Sequence, residues 1–260
     1  GHTNMPTMQP KPLNQSELAR KLSLAAISIV VLSGGFFANC WHVAEQPWFV
    51  RHQVDTESLV VGRMVRSRQD GIFSDGGLPG AGIPNDLHRR WLTREQAHDQ
   101  YSAYFEGLTF DEYSTYMSQI GGQGVLFSLL DSSVPLSPQT KLKSFYMLTS
   151  LLSAIALTLV ILWFYSELGL CVAIFVASSM VLSQWLTVFG RNLWWSIWAF
   201  YLPMIVVMYF VRYRRVSTDY RLVTLGVLVF ISVFVKCLIN GYEYITTTLV
   251  MMVVPLVYYC

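Results

Sequence analysis

Charged side chains are scarce in this sequence. They make up 13% of the 260 residues, while 53% of the residues are hydrophobic and the mean hydropathy is +0.42. Soluble domains carry about 25% charged residues, so half that share cannot cover the surface of a water-soluble globule of this length. The scarcity excludes a cytosolic enzyme and a disordered chain. The net charge of +2 also lacks the positive excess that is typical of nucleic-acid-binding proteins.

Cysteine and the common cofactor motifs are also scarce. The four cysteines show no CxxC pair and no Cys/His ligand spacing, which argues against a disulfide scaffold and the usual zinc sites. The glycine-rich segment Gly121–Gly124 lacks the Lys-Ser/Thr ending of a nucleotide-binding P-loop. No cofactor is therefore predicted, although His52 stands near Asp55 and Glu57 in the sequence, which leaves a divalent metal ion open.

Long apolar runs are what the sequence has instead. A helix needs about 20 apolar residues to cross the hydrocarbon core of a bilayer. Six runs approach that length, at 22–44, 144–165, 170–188, 193–211, 222–238 and 245–260. We therefore predict an all-α polytopic membrane protein with about six transmembrane helices, the first in 22–44 and the others in 144–260. The last run is short and reaches the end of the chain, which favours a truncated piece of a longer protein.

The polar residues concentrate in one block between the first two runs. Positions 45–143 hold twelve acidic and nine basic residues, whereas the rest of the chain holds only four acidic ones. The block predicts a large, partly helical first loop. Capping boxes at 93–96 and 109–112 predict two helix starts in it, and Ser137-Pro138 predicts the start of the second membrane helix.

Two further segments of this block have a recognisable pattern. Positions 57–68 have the apolar spacing and the arginines of an amphipathic helix that lies on the membrane surface. The glycine-rich stretch 75–82 is typical of a mobile loop.

Basic residues near the short loops predict the orientation in the membrane, since Lys and Arg are enriched in cytoplasmic loops. An even number of predicted crossings separates two basic clusters, which therefore share one face: Lys11, Arg20 and Lys21, and Arg212, Arg214, Arg215 and Arg221. We predict a cytoplasmic N-terminus and an extracytoplasmic loop at 45–143. Within 1–21, the first five residues are typical of a tag-cleavage scar and the remainder is predicted to be cytoplasmic.

This topology brings eight polar residues to the outer membrane face: Asp55, Glu57, Arg191, Asn192, Lys236, Asn240, Tyr242 and Glu243. Ionisable groups at membrane depth cost about 2.5–3.5 kcal/mol on insertion scales, so their placement usually has a reason. Asp55 and Glu57 have two interpretations. They fit the acidic first turn of a helix, and a carboxylate at this place is also a candidate general base for a hydroxyl acceptor.

The two short outer turns also have two interpretations each. Arg191 is either an arginine that snorkels from a helix end or a ligand for phosphate. Lys236 and Glu243 fit a polar hairpin with an internal ion pair. Alternatively, Lys236 neutralises a leaving phosphate while Glu243 or Tyr242 positions a sugar hydroxyl. The turns also contribute two candidate sugar or acceptor ligands, Asn192 and Asn240.

Three segments resemble the GT-C superfamily of integral-membrane glycosyltransferases. Asp55-Thr-Glu57 is similar to the acidic motif in that family's first extracytoplasmic loop. Gly190-Arg-Asn-Leu-Trp-Trp195, followed by Pro203, is similar to the Arg-Asn-aromatic segment that opens a membrane helix in bacterial cell-envelope members. Lys236 with Asn240-Gly-Tyr-Glu-Tyr244 resembles a later outer turn in the same group.

The resemblance implies an enzyme of the bacterial inner membrane that transfers a sugar from a polyprenyl-phosphate donor to an extracytoplasmic lipid, glycan or protein, with inversion. It implies that Arg191 and Lys236 bind the departing phosphate and that Asp55 or Glu57 removes the acceptor's proton. The alternative is a non-catalytic membrane subunit or lipid-binding scaffold whose loop docks a partner. Neither interpretation involves nucleic acid.

Overall fold

The computed structural model describes residues 14–84, 94–213 and 219–259, which are mostly helical. Lys11, Arg214, Arg215 and the predicted cleavage scar lie outside these ranges. The helices are α1 (Gln15–Ala38), α2 (Gln46–Arg51), α3 (Val54–Asp70), α4 (Arg94–Glu106), α5 (Gly122–Ser133), α6 (Pro138–Leu168), α7 (Leu170–Val181), α8 (Gln184–Phe189), α9 (Ile197–Tyr213), α10 (Asp219–Asn240) and α11 (Ile245–Tyr259). A 3-10 turn covers Ser74–Gly77, and β1 (Gly80–Pro84) pairs antiparallel with β2 (Phe110–Thr115).

Three of the described helices are long and apolar enough to cross a membrane: Gln15–Ala38, Pro138–Leu168 and Tyr220–Asn240. The helices α7, α9 and α11 are apolar but shorter. The predicted run 170–188 is divided between α7 and α8, because the hydroxyl of Ser183 accepts the N–H of Leu186 and begins a new helix. The fold is therefore a helical one with three candidate membrane spans in the part of the chain that is described.

The helices α1 and α6 pack along each other. Leu32 and Phe36 of α1 share a buried cluster with Ala154, Leu157 and Ile161 of α6. Because α1 leads into the polar block and α6 leaves it, the residues between these two helices lie at one end of the pair. We call residues 46–133 the insertion.

The helix starts predicted from capping patterns are partly confirmed. At the start of α6, Pro138 occupies the first turn and the hydroxyl of Ser137 accepts the N–H of Thr140. Positions 94–96 of the other predicted box are helical and belong to α4, while Thr93 itself lies outside the described residues.

The second capping box is wrong, because 109–112 lies in and before the strand β2. The side chain of Gln69 on α3 donates to the carbonyl of Phe110 and accepts its N–H, at 3.0 and 2.9 Å. The two bonds satisfy the N–H and the carbonyl of Phe110, as the pairing residue of a neighbouring strand would do. A contact from 41 residues away thus overrides the local helix signal.

The stretch 75–82 is also more ordered than its glycines predict. It forms the 3-10 turn and most of β1 rather than a free loop. A Cβ on Gly82 would lie 2.0 Å from the ring of Phe110, so this glycine permits the close approach of the two strands. The side chain of Gln100 then pairs with the N–H and carbonyl of Gly82 from the other side.

The helix α3 is the buried centre of the insertion. Val60, Val61 and Met64 are fully buried, and α4, α5 and β1 contact the helix from several sides. The prediction of a helix over 57–68 is correct, but its predicted position on the membrane surface is wrong. The apolar residues of α3 lie on several sides of the helix because α4, α5 and β1 surround it. A helix on a membrane surface would have them on one lipid-facing side.

Arg63 on α3 is a fully buried cation whose partners are neutral oxygens. Its guanidinium donates to the carbonyls of Gly71, Ile72 and Ser74 at 2.9, 3.0 and 2.6 Å. It also donates to the hydroxyls of Ser67 and Ser74. Five donors in a fixed fork suit this arrangement, so Arg63 fixes the chain reversal between α3 and the 3-10 turn.

Asp131 joins α5 to α3 and α4 inside the insertion. Its carboxylate accepts two hydrogen bonds from Arg68, at 2.6 and 2.8 Å, and one from the hydroxyl of Tyr104 at 2.7 Å. Burial raises the pKa of Asp131, but the hydrogen bonds from Arg68 and Tyr104 outweigh burial and hold that pKa below its usual range.

We expect the insertion to lose stability in acid through Asp131. A carboxyl group whose folded pKa lies below its unfolded value of about 3.9 stabilises the fold above that pH, and the stabilisation is lost as the pH falls through the folded pKa. Below pH ~4, the melting temperature should fall more steeply in the wild type than in Asp131→Asn, which should already melt lower at pH 7. Thermal melts followed by fluorescence in detergent measure both profiles. Parallel profiles would contradict this role of Asp131.

Candidate functional site

Glu57, in the first turn of α3, is a buried carboxylate where the insertion meets α6 and the turn before α9. It is 5% exposed. Its Oε1 accepts hydrogen bonds from the hydroxyls of Tyr101 and Tyr146, at 2.7 and 2.5 Å, and its Oε2 accepts the N–H of Leu193 at 3.0 Å. Glu57 therefore ties together α4, α6 and the turn before α9.

These three donors make up for the water that the Glu57 carboxylate loses on burial. Burial and the Glu57 carboxylate together raise the pKa of Tyr101 well above its ordinary value, so this hydroxyl keeps its proton and acts as a donor. No ion pair of the described residues includes Glu57. The charge is thus stabilised by hydrogen bonds, and they occupy most of its acceptor capacity.

The guanidinium of Arg191 lies between two aromatic rings. Its Cζ is 4.5 Å from the centroid of the Phe49 ring and 4.7 Å from that of Tyr146. In the described part of the chain, Arg191 has no hydrogen-bond acceptor and no ion-pair partner. Contacts with ring faces hold an arginine without using its N–H donors. The arrangement therefore leaves the guanidinium able to receive an anion.

The turn that carries Arg191 is shaped by its neighbours in sequence. A Cβ on Gly190 would lie 2.4 Å from the ring of Phe36, so only glycine lets the turn approach α1. Asn192 is buried, and its Oδ1 accepts the N–H groups of Trp194 and Trp195 at 2.9 and 2.8 Å. Asn192 thus fixes the backbone that leads into α9, and its role as a sugar ligand stays a prediction.

The second predicted turn, between α10 and α11, is held by buried side chains. Lys236 is fully buried, donates to the carbonyls of Gly241 and Glu243, and lies 5.0 Å from the ring centroid of Phe200. The predicted ion pair between Lys236 and Glu243 is wrong, because the lysine contacts the backbone of Glu243 rather than its carboxylate. Asn240 pairs with both backbone groups of Ser196, at 3.1 and 2.9 Å, and so joins the two turns.

Two other predicted ligands of this turn lie nearer the surface. Tyr242 is 66% exposed, and Glu243 is half-buried. The ring of the neighbouring Tyr244 lies 5.7 Å from that of Trp195, which continues the contact between the turns. The structure therefore brings the predicted turns side by side, with their polar groups divided between interior and surface.

Asp55 is exposed and lines an open depression of about 420 Å³. Glu45, Trp48, Arg51 and His52 line the same depression. Asp55 and Glu57 are two residues apart on α3 and therefore face different surroundings, one solvent and one the protein interior. The depression therefore presents two carboxylates, an arginine and aromatic rings to solvent.

The possible metal site near His52 is not supported. Among the described residues, no group of three or more His, Cys, Asp or Glu side chains is placed to hold a metal ion. His52 instead contacts aromatic rings, with ring centroids 4.9 Å away in both Trp48 and Phe189. Burial lowers the pKa of His52, which favours its neutral form.

Sequence reasoning missed the aromatic residues that complete the site, namely Phe49, Tyr101 and Tyr146. Tyr146 lies in a predicted membrane run and Tyr101 in a helix of the polar block, so neither belongs to a local motif. Each of these residues contacts Glu57 or Arg191 from another part of the chain, through a hydroxyl group or a ring face. Such contacts are visible only in the folded structure.

The structure thus brings Glu57 and Arg191 to opposite parts of one tyrosine. The hydroxyl of Tyr146 donates to Glu57, while its ring supports the guanidinium of Arg191. Asp55 lies outside this contact, on the exposed side of α3. No protein-family model, curated protein or solved structure matches the chain.

Proposed function

We propose that this chain is the core of a membrane glycosyltransferase, which moves a sugar from a polyprenyl-phosphate donor to an extracytoplasmic acceptor with inversion. The observation that carries the proposal is Arg191, which is held between Phe49 and Tyr146 and has no acceptor within the described residues. A guanidinium fork matches the oxygens of a phosphate. The resemblance of Asp55-Thr-Glu57 and of 190–195 to GT-C enzymes supports the same substrate class.

The proposal includes the predicted topology. All six apolar runs would cross a bacterial inner membrane, with the N-terminus in the cytoplasm and the insertion outside. A lipid-linked donor keeps its polyprenyl tail in the bilayer and presents its phosphate at the membrane face. The junction of the insertion with α6 and the turn before α9 would then lie where that phosphate arrives.

In this mechanism, Arg191 stabilises the phosphate that leaves. The bond between the sugar's anomeric carbon and the phosphate oxygen breaks, and its electron pair departs with the phosphate, where the charge grows in the transition state. Asp55 accepts the proton of the acceptor hydroxyl as that oxygen bonds to the anomeric carbon. Asp55 is the better base of the acidic pair, because it is exposed to an incoming acceptor.

Glu57 positions the site without touching the substrate. Its three hydrogen bonds fix Tyr146 and the backbone of Leu193, and these in turn place Arg191. Lys236 and Asn192 have backbone partners within their own turns, and Asn240 holds the two turns together. Tyr242 and Glu243 remain candidates for contact with sugar or acceptor, since both reach the surface.

We expect Asp55→Asn and Arg191→Gln to reduce sugar transfer strongly. Removing a general base typically costs about 10²–10⁴ in rate, and removing one donor to a developing negative charge costs about 10²–10³. The measurement is transfer or donor hydrolysis by purified protein incubated with a panel of polyprenyl-phosphate sugars. Near-normal turnover in both variants would overturn the assignment of the site.

Matched variants separate chemistry from folding in this test. Asp111 on β2 is exposed, so Asp111→Asn removes the same kind of charge away from the site and should leave turnover unchanged. Arg191→Lys keeps the charge but loses the fork, and it should recover part of the Arg191→Gln loss. Melting temperatures within a few degrees of the wild type would show that the variants fold.

The second candidate function is a non-catalytic subunit whose insertion docks a partner. Two apolar side chains on turns of the insertion favour it, since Phe73 is 78% and Met117 is 81% exposed. A partner protein that co-purifies with the wild type but not with Phe73→Asp or Met117→Asp, together with no turnover of any donor, would favour the subunit over the enzyme.

A further inference from the structure

A groove of about 930 Å³ lies at the end of the α1–α6 pair that is remote from the insertion. It is formed by the first half of α1 and by residues 165–170, where α6 ends and α7 begins. The proposed transferase site does not use this groove, which lies at the other end of the membrane helices.

The lining of the groove changes from polar to apolar along α1. Ser16 and Arg20 line it near the start of the helix, while Leu24 and Ile27 line it further along. Because α1 is a candidate membrane span, this direction leads from the headgroup region into the hydrocarbon core. Ile27 is 62% exposed, so the apolar part of the groove is open to the side. This gradient matches a lipid with its headgroup near Arg20.

The charges of the groove favour an acidic headgroup. Glu17 pairs with Lys21 at 3.0 Å, and this pair is electrically neutral. Arg20 is exposed and has no acceptor or ion-pair partner among the residues that the structure describes. The groove therefore presents one unpaired positive charge beside the hydroxyls of Ser16 and Ser166. Anionic lipids are attracted to basic residues at this depth.

We propose that this groove binds an acidic glycerophospholipid, with its phosphate diester on Arg20 and one acyl chain along Leu24 and Ile27. Arg20 supplies charge-assisted hydrogen bonds to the phosphate, and the serine hydroxyls contact the polar part of the headgroup. The acyl chain fills the space that α1 and the α6–α7 turn leave open. The lipid would connect these two segments.

The test uses the whole protein in nanodiscs that contain equal amounts of phosphatidylglycerol and phosphatidylcholine. After transfer to detergent and washing, native mass spectrometry should show phosphatidylglycerol retained in preference to phosphatidylcholine. Arg20→Gln should lower that retention about tenfold or more, which corresponds to losing a hydrogen bond to a charged group. Arg221→Gln at the start of α10 removes the same charge outside the groove and should retain the lipid. Equal retention by wild type and Arg20→Gln would overturn the proposal.

A second variant tests the groove without changing charge. Ser23→Trp places a large ring in the lining and should displace the lipid as effectively as Arg20→Gln. A photo-crosslinker at position 23 should capture phosphatidylglycerol, and added glycerol phosphate should not compete because it lacks an acyl chain. Competition by glycerol phosphate would indicate a site for free phosphate instead. Crosslinking only to residues 1–13 of the chain would show a peptide occupant, and either result would overturn the lipid assignment.

Discussion

Arg63→Leu should strongly destabilise the insertion, with a loss of about 3–5 kcal/mol from the free energy of unfolding. The change removes all five hydrogen bonds of the guanidinium, which go to the carbonyls of Gly71, Ile72 and Ser74 and to the hydroxyls of Ser67 and Ser74. A hydrogen bond to a charged group contributes about 1.5–3 kcal/mol, so the loss of five of them outweighs the gain from an apolar side chain at this buried position. Chemical denaturation in detergent, followed by fluorescence, measures the difference.

Arg66→Leu is the matched control for this prediction. Arg66 lies on the same helix, one turn away, and its partners Asp70 and Asp75 are partly exposed. Exposed ion pairs contribute about 0–1 kcal/mol, so this variant should remain close to the wild type. Arg63→Lys should fall between them, since an ammonium retains the charge but cannot donate in five directions. Equal effects of Arg63→Leu and Arg66→Leu would show that Arg63 does not fix the chain reversal.

The sequence predicts those parts of the fold that depend on the lipid bilayer or on neighbouring residues in the chain. A membrane span needs apolar residues over a fixed length, and α1, α6 and α10 satisfy that requirement by composition alone. The start of α6 is predicted as well, because Ser137 and Pro138 act on the backbone beside them. Such signals are contained within a few residues, so no knowledge of the fold is needed to interpret them.

The parts that sequence misplaces depend on distant partners. The arginines of α3 indicate a surface helix until the carbonyls of 71–74 are seen to surround Arg63. Lys236 likewise resembles a surface cation until the backbone of its own turn is seen to bind it. A buried charge and an exposed one have the same sequence pattern, and only the acceptors supplied by other segments distinguish them.

The candidate site shows the same division. The sequence predicts that Glu57 and the turn at Arg191 face each other at one membrane surface, and the structure places both against Tyr146. The sequence does not predict which of the two carboxylates in Asp55-Thr-Glu57 is buried. That choice depends on Tyr101, Tyr146 and the N–H of Leu193, which lie 44, 89 and 136 residues away.

Glu57→Leu should detach the Arg191 turn from α3 and destabilise the protein by about 3 kcal/mol or more. The N–H of Leu193 and two tyrosine hydroxyls lose a charged acceptor at the same time. Glu57→Gln should be milder, because its carbonyl can accept from Leu193 while its amide donates to tyrosine oxygens, which accept as well as donate. Hydrogen exchange of the segment 189–196 should rise sharply in Glu57→Leu and modestly in Glu57→Gln.

The control for this prediction is Glu106→Leu, at the exposed end of α4, which should change neither melting nor exchange. Turnover then separates the two possible roles of Glu57. If Glu57 positions Arg191, transfer should fall in proportion to the loosening of 189–196, and Glu57→Gln should retain much of it. If Glu57 is the base, Glu57→Gln should lose about 10²–10⁴ in rate with unchanged exchange, and that result would contradict the positioning role.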